Sequence, residues 1–234
     1  MNSPAPPSPV GLFRKIIAGD PYRKSRLHDE KGNLIDGREW KYLPLVIQRV
    51  IARTVFGKLY PEPWWTFCVK RRVDAILTAD MNLVEFGSGQ STAWLAQRTG
   101  SVRSIEDNRE WHSRVRQNID QAGLTNVSLD LRPLEDYANV DDIPDESVDF
   151  CVVDGAVRGR CVTAIIPKIK PGGWVYLDNS DKDAPEAEDG VNLRSAEAAL
   201  RRMVKEDDIE TFTGFTIGSL NTHQGMLFRF APKS

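Results

Sequence analysis

The stretch Val84-Glu-Phe-Gly-Ser-Gly-Gln-Ser-Thr92 closes a short apolar run, residues 82–86, with two glycines one residue apart. Glycines let the backbone pass close to a ligand, and open α/β sheets bind ligands at the carboxyl ends of their strands. A helix is expected over 91–98. Outward from there the chain keeps one rhythm. Residues 102–106 read as a second strand, 110–122 as a helix ended by Gly123, and 127–131 as a third strand. The fourth, 148–154 (Val-Asp-Phe-Cys-Val-Val-Asp), is almost continuously apolar, as a buried parallel strand should be. A helix over 158–169 should break near Pro167. Pro171-Gly-Gly173 reads as a turn into a fifth strand, 174–177. A helix over 193–204 and strands at 212–217 and 226–230 complete the pattern. Strands alternating with helices at this spacing predict an α/β fold with a parallel, doubly wound sheet.

Upstream, residues 66–79 suggest a helix with Val69, Val73, Ile76 and Leu77 on one face. Clusters such as Val46-Ile47 and Val50-Ile51 point to one or two helices ending near 57–63. The proline-rich start should be disordered or extended. The expected organisation is therefore a tail over 1–10, a helical N-terminal cap over 11–63 and the main domain over 64–234. The 234 residues carry a net charge of -2. Residues 1–60 hold eleven Lys/Arg against five Asp/Glu, a net of +6, so the remainder stands at -8. The preferred reading is a solvated basic helical face; an acidic substrate, a nucleic acid or a membrane surface are the alternatives. No run reaches the ~18 apolar residues of a membrane helix. Cys68, Cys151 and Cys161 have neither disulfide-framework nor zinc spacing, so a reducing, cytoplasmic setting is expected.

A lone Gly-x-Gly after a strand is weak evidence, since glycine turns are common. The dinucleotide-binding rival would need glycine where Thr92 stands, and its pyrophosphate suits an acidic Glu85 poorly. A ligand with ammonium and sulfonium charges and no phosphate suits that acid better. Glu106, in Ser104-Ile-Glu-Asp107, follows Glu85 by 21 positions, close to the ~20-residue offset at which an acid grips ribose hydroxyls.

Four motifs in order, Glu85-Phe-Gly-Ser-Gly-Gln-Ser-Thr92, Ser104-Ile-Glu-Asp-Asn-Arg-Glu-Trp111, Asp149-Phe-Cys-Val-Val-Asp-Gly155 and Lys170-Pro-Gly-Gly-Trp-Val-Tyr-Leu-Asp-Asn179, resemble those of class I S-adenosylmethionine-dependent methyltransferases. The resemblance covers roughly residues 82–230. It implies a Rossmann-like, seven-stranded sheet whose last strand is antiparallel. It implies that Glu85, Gly87 and Gly89 line the methionine end of the cofactor, with Ser88, Ser91 and Thr92 in the same loop. Glu106 and its neighbour Asp107 would hold the ribose, Leu134 and Glu135 the adenine, and Asp154 would lie beside the sulfonium. Asp154, Asp178 and Asn179 are similar to the metal-binding trio of catechol- and caffeoyl-coenzyme-A-type O-methyltransferases, which implies Mg²⁺ or Ca²⁺. The family's Asp-Ala-Asp-Lys reads Asp154-Gly-Ala-Val-Arg158 here, so a third acid is missing unless Asp181 supplies it. In a metal-free site Asp154 or Asp178 would bind substrate or act as base.

Trp64 and Trp65 read as core residues with a possible substrate-facing role, and Trp111 as packing its helix on the sheet. His112 and His28 read as surface residues. His223, in the turn between the last two strands, is a candidate general base or a solvated turn histidine. The expected activity is transfer of a methyl group to the hydroxyl of a small molecule. A protein, peptide or nucleic-acid acceptor stays open, with nucleic acid disfavoured, and so does a homodimer. The rival classes are an aminopropyltransferase-like enzyme, an NAD(P)-dependent Rossmann enzyme and a non-catalytic binding module.

Overall fold

The computed structural model describes residues 18–19, 21–57, 60–182, 188–217 and 219–232. The expected tail over 1–10 lies outside them. Strands β1 (Asn82–Phe86), β2 (Ser101–Glu106), β3 (Val127–Leu131), β4 (Val148–Val153), β5 (Ile169–Leu177), β6 (Ile209–Phe215) and β7 (Thr222–Arg229) form one sheet in the order β3-β2-β1-β4-β5-β7-β6. The first five are parallel, and β7 runs antiparallel between β5 and β6. This is the Rossmann-like sheet with an antiparallel last strand that the motifs imply.

The helices are α1 (Leu43–Phe56), α2 (Phe67–Ile76), α3 (Gln90–Ala96), α4 (Arg109–Gln121), α5 (Arg158–Ile165) and α6 (Glu188–Arg201). Alternation along the strands divides the core between two faces. Val84, Phe86, Cys151 and Val153 pack with Cys161 and Ile165 of α5. Leu83, Phe150 and Val152 pack with Val69 and Val73 of α2 and Leu95 of α3. Burial on both faces is why β4 reads as an unbroken apolar run.

Two expectations need correction. Pro171-Gly-Gly173 is not a turn before β5 but lies inside it, where the pairing with β4 shifts register. Gly172 absorbs the irregularity at φ +83, and its N–H donates to the Phe230 carbonyl. The N-terminal segment is not helical throughout. Residues 21–36 contain only isolated bridges, Ser25 with Ala18 and His28 with Leu34, and are followed by a 3₁₀ turn, Gly37–Tyr42, and α1.

The described part of that segment packs against the rest of the chain across 63/64. Ile35 and Val46 share one apolar cluster with Phe67, Phe215 and Ile217. Thr222 donates through N–H and hydroxyl to the Arg26 carbonyl at 3.1 and 2.8 Å. Asp36 exchanges bonds with Thr213, and Glu39, fully buried, accepts from the Cys68 N–H at 2.7 Å. Among the described residues no helix is long and apolar enough to cross a membrane.

Candidate active site

The loop after β1 is shaped by two backbones in contact. Gly87 has φ +94, and a Cβ there would stand 2.6 Å from the Gly155 nitrogen at the end of β4. Gly155 is equally constrained, since its Cβ would meet the Tyr137 hydroxyl at 1.9 Å. Only glycine fits at both places. Glu85 sits beneath the loop, fully buried. It accepts from the Ser91 hydroxyl, from Thr92 at 2.6 Å and from Ser104 at 2.7 Å. Burial raises its pKa, and those hydroxyl bonds partly offset the effect.

Glu106, at the tip of β2, ties down the same loop. One oxygen accepts from the N–H and hydroxyl of Ser88 at 3.1 and 2.8 Å. The other accepts from the N–H groups of Asp107 and Asn108 at 3.2 and 2.9 Å. The Gly89 N–H is taken by Thr92 at 2.9 Å. Two loop amides that a pyrophosphate would need are therefore engaged within the protein. Trp111, held at the start of α4 by the Asn108 cap, donates its indole N–H to the Ser88 carbonyl at 2.6 Å. Together these groups wall a cavity of ≈ 320 Å³, closed by Tyr137, Asp154 and Trp64.

A second cavity of ≈ 270 Å³ shares Trp64 and Asp154 with the first. Its other walls include Arg53, Asp178, Asn179 and His223. Asp154 and Asp178 end adjacent strands and share a side-chain hydrogen bond. Burial raises both carboxyls. Asp178 is raised further by the Asp154 charge, which favours the shared proton on Asp178. Tyr176 donates to Asp178 as well. The compensating cation is Arg158. It reaches Asp154 Oδ1 at 3.2 Å, Asn179 Oδ1 at 3.4 Å, the Gly155 carbonyl at 2.9 Å and the Asp178 carbonyl.

His223 accepts at Nδ1 from Arg23 at 3.4 Å, with Asp181 3.9 Å away. The neutral ring then carries its proton on Nε2. Burial lowers its pKa, which favours that neutral form. Asp181 is fully buried and accepts from the Gln224 N–H at 3.0 Å and from Arg23.

Residues 84–180 match the family model of a methyltransferase domain. Over that stretch the chain is similar to a methyltransferase domain. No curated protein sequence matches it. Its fold is similar to that of the O-methyltransferase TomG of Streptomyces achromogenes, which is involved in tomaymycin synthesis and was solved in complex with SAM. That likeness has 15% identity and a TM-score of 0.54, over 84% of this chain and 96% of that one. It is also similar to the tRNA methyltransferase TrmI of Aquifex aeolicus, at 14% identity and a TM-score of 0.55 over 75% and 71%. A precorrin 8w decarboxylase of Methanobacterium thermoautotrophicum gives 21%, 0.51, 71% and 90%. At these identities the likeness is one of fold.

Gly87, Ser88, Gly89, Ser91, Glu106, Asp107 and Asp154 all line the first cavity. Glu85 and Thr92 do not: they brace the loop from below, because a buried acid needs the hydroxyl donors it finds there. Leu134 and Glu135 do not line it either. Leu134 is exposed, and both residues offer their carbonyls to Arg160. Tyr137, three positions after Leu134, takes that wall instead. Trp111 lines the cavity rather than only packing its helix, and Trp64 faces both cavities. Trp65 is the core residue of the pair.

The trio Asp154, Asp178 and Asn179 converges but does not fit a metal ion. A guanidinium nitrogen already binds the oxygens of Asp154 and Asn179, and Asp178 is engaged by Tyr176 and Asp154. Asp181 faces Arg23 and the Gln224 backbone rather than completing the set. Among the described residues no three His, Cys, Asp or Glu side chains are arranged to hold a metal.

Proposed function

We propose that S-adenosylmethionine binds in the first cavity and that its methyl group passes to the hydroxyl of a small molecule held in the second. The observation that supports this most is the wall the two cavities share. Trp64 and Asp154 belong to both, so a donor and an acceptor would meet at Asp154. Such proximity is the main catalytic device open to an in-line displacement. The acceptor oxygen forms its bond to the methyl carbon as the sulfur–carbon bond breaks. S-adenosylhomocysteine leaves, and the hydroxyl proton goes to a base.

Asp154 is that base in this reading. It is the less strongly raised carboxyl of the pair, and it lies at the point where the cavities join. His223, with its proton on Nε2, suits a donor to the acceptor better than a base. The ribose diol would bind at Glu106, displacing the Ser88 hydroxyl from a carboxylate whose four acceptor sites are filled. Trp111 and Tyr137 would flank the nucleoside. A nicotinamide dinucleotide is disfavoured because Ser88 and Gly89 have their amides engaged.

Calorimetry with S-adenosylmethionine, S-adenosylhomocysteine, decarboxylated S-adenosylmethionine and NADH tests the donor. S-adenosylmethionine and its demethylated product should bind, and Glu106→Gln should weaken them by about 1–3 kcal/mol. Preference for the decarboxylated compound would turn the reading to aminopropyl transfer. Binding of none would remove it.

A further inference from the structure

Helix α1 is apolar on two faces, and among the described residues only one is covered. Val46, fully buried, and Val50 pack inward against Ile35, Phe67 and Phe215. On another face Ile47, Ile51 and Val55, spaced by four, are 45%, 48% and 67% exposed, and Phe56 is 76% exposed. A helix that is apolar beyond its buried stripe is normally covered by something. Charge indicates by what. Residues 37–72 hold eight Lys/Arg and two Asp/Glu, in a chain whose net charge is -2. Arg53 on α1 and Arg38, Lys41 and Arg71 in the elements packed beside it are exposed.

A second copy of the chain fits poorly. α1 contains two arginines and no acid, so a two-fold helix pair would oppose like charges. A helix face about 21 Å long also offers far less than the ~800 Å² per partner of a stable dimer. RNA would satisfy the charge but leave the apolar stripe in water. An anionic bilayer surface satisfies both, because interfacial helices combine buried apolar side chains with attraction to acidic headgroups.

The second cavity opens beside this face. Arg53 lies in the same turn as Val55 and Phe56, lines that cavity and stacks 5.1 Å from the centroid of Trp64. We propose that the outward face of α1 docks on an anionic lipid surface, and that the acceptor is a hydroxyl-bearing amphiphile drawn from that surface. The second clause rests on the methyl-transfer reading above; the first does not.

The test is flotation of the full chain with vesicles of phosphatidylcholine alone, or mixed in equal parts with phosphatidylglycerol. At least tenfold more protein should float with the anionic vesicles. The gain should shrink as salt rises from about 0.1 to about 1 M and the screening length falls from about 10 to about 3 Å. The double variant Ile51→Glu, Val55→Glu should lose flotation at least tenfold while keeping its melting temperature and S-adenosylmethionine affinity. Failure of the wild type to float with either vesicle overturns the docking. So does a dimer in sedimentation equilibrium that the same variant dissociates, or RNA binding that the variant leaves intact, when either occurs without flotation. Flotation together with labelled methyl transfer only to water-soluble acceptors overturns the second clause alone.

Discussion

Asp154, Asp178 and Arg158 form one electrostatic unit: two carboxyls raised by burial, Asp178 the further of the two, and a cation fixed between two strand ends. If Asp154 takes the acceptor's proton, it must be ionised. Burial raises its pKa, so kcat/KM should fall with decreasing pH at values above the ordinary aspartate range of about 3.9. Asp154→Asn should lower kcat by about 10²–10⁴-fold. Asp178→Asn imitates the protonated carboxyl, so it should leave the acid limb of the pH profile in place. A limb displaced toward lower pH in that variant would show that Asp178 is ionised in the wild type and raises its partner. Because Arg158 occupies the oxygens a metal would need, EDTA should leave turnover unchanged, whereas Arg158→Ala should abolish most of it. A steady-state assay with and without chelator reads both.

At the scale of elements, the site depends on how closely the ends of β1 and β4 approach. Gly155→Ala would place a methyl 1.9 Å from the Tyr137 hydroxyl and 2.8 Å from the Gly87 nitrogen. The first clash can be relieved by removing the hydroxyl; the second is with backbone. Gly155→Ala should therefore cost about 1–3 kcal/mol of stability and most of the donor affinity. Tyr137→Phe in the same chain should restore only part of either, as read by thermal melting and calorimetry. Glu85 acts at this scale too. Its three hydroxyl partners come from α3 and β2, so one buried acid fastens the helix start to two neighbouring strands.

For the whole molecule, the described part of the basic N-terminal layer packs on the sheet. Removing residues 1–60 would bare Phe67, Phe215 and Ile217 and strip the Thr222, Thr213 and Cys68 backbone groups of their partners. The truncated protein should melt well below the full chain and lose donor binding along with turnover, measurable by scanning fluorimetry and calorimetry. Retention of wild-type melting would mean that the layer is an appendage after all. Strand positions, the parallel sheet and the glycine loop with Glu106 were legible in the sequence, because each depends on local periodicity or a motif of a few residues. The bulge at Gly172 was not, since glycine and proline next to each other imitate a turn. Local pattern was enough for the sheet, the loop at its ligand-binding edge and the pairing of Asp154 with Asp178, for strand ends are set by where apolar runs stop. It took the folded chain to reveal that Tyr137 and Trp111 wall the cavity, that Glu85 lies beneath it and that α1 keeps an apolar face outward. The folded chain also puts Arg158 in the cation's place. Those facts depend on side-chain direction and on contacts between residues far apart in the chain, which no local pattern encodes.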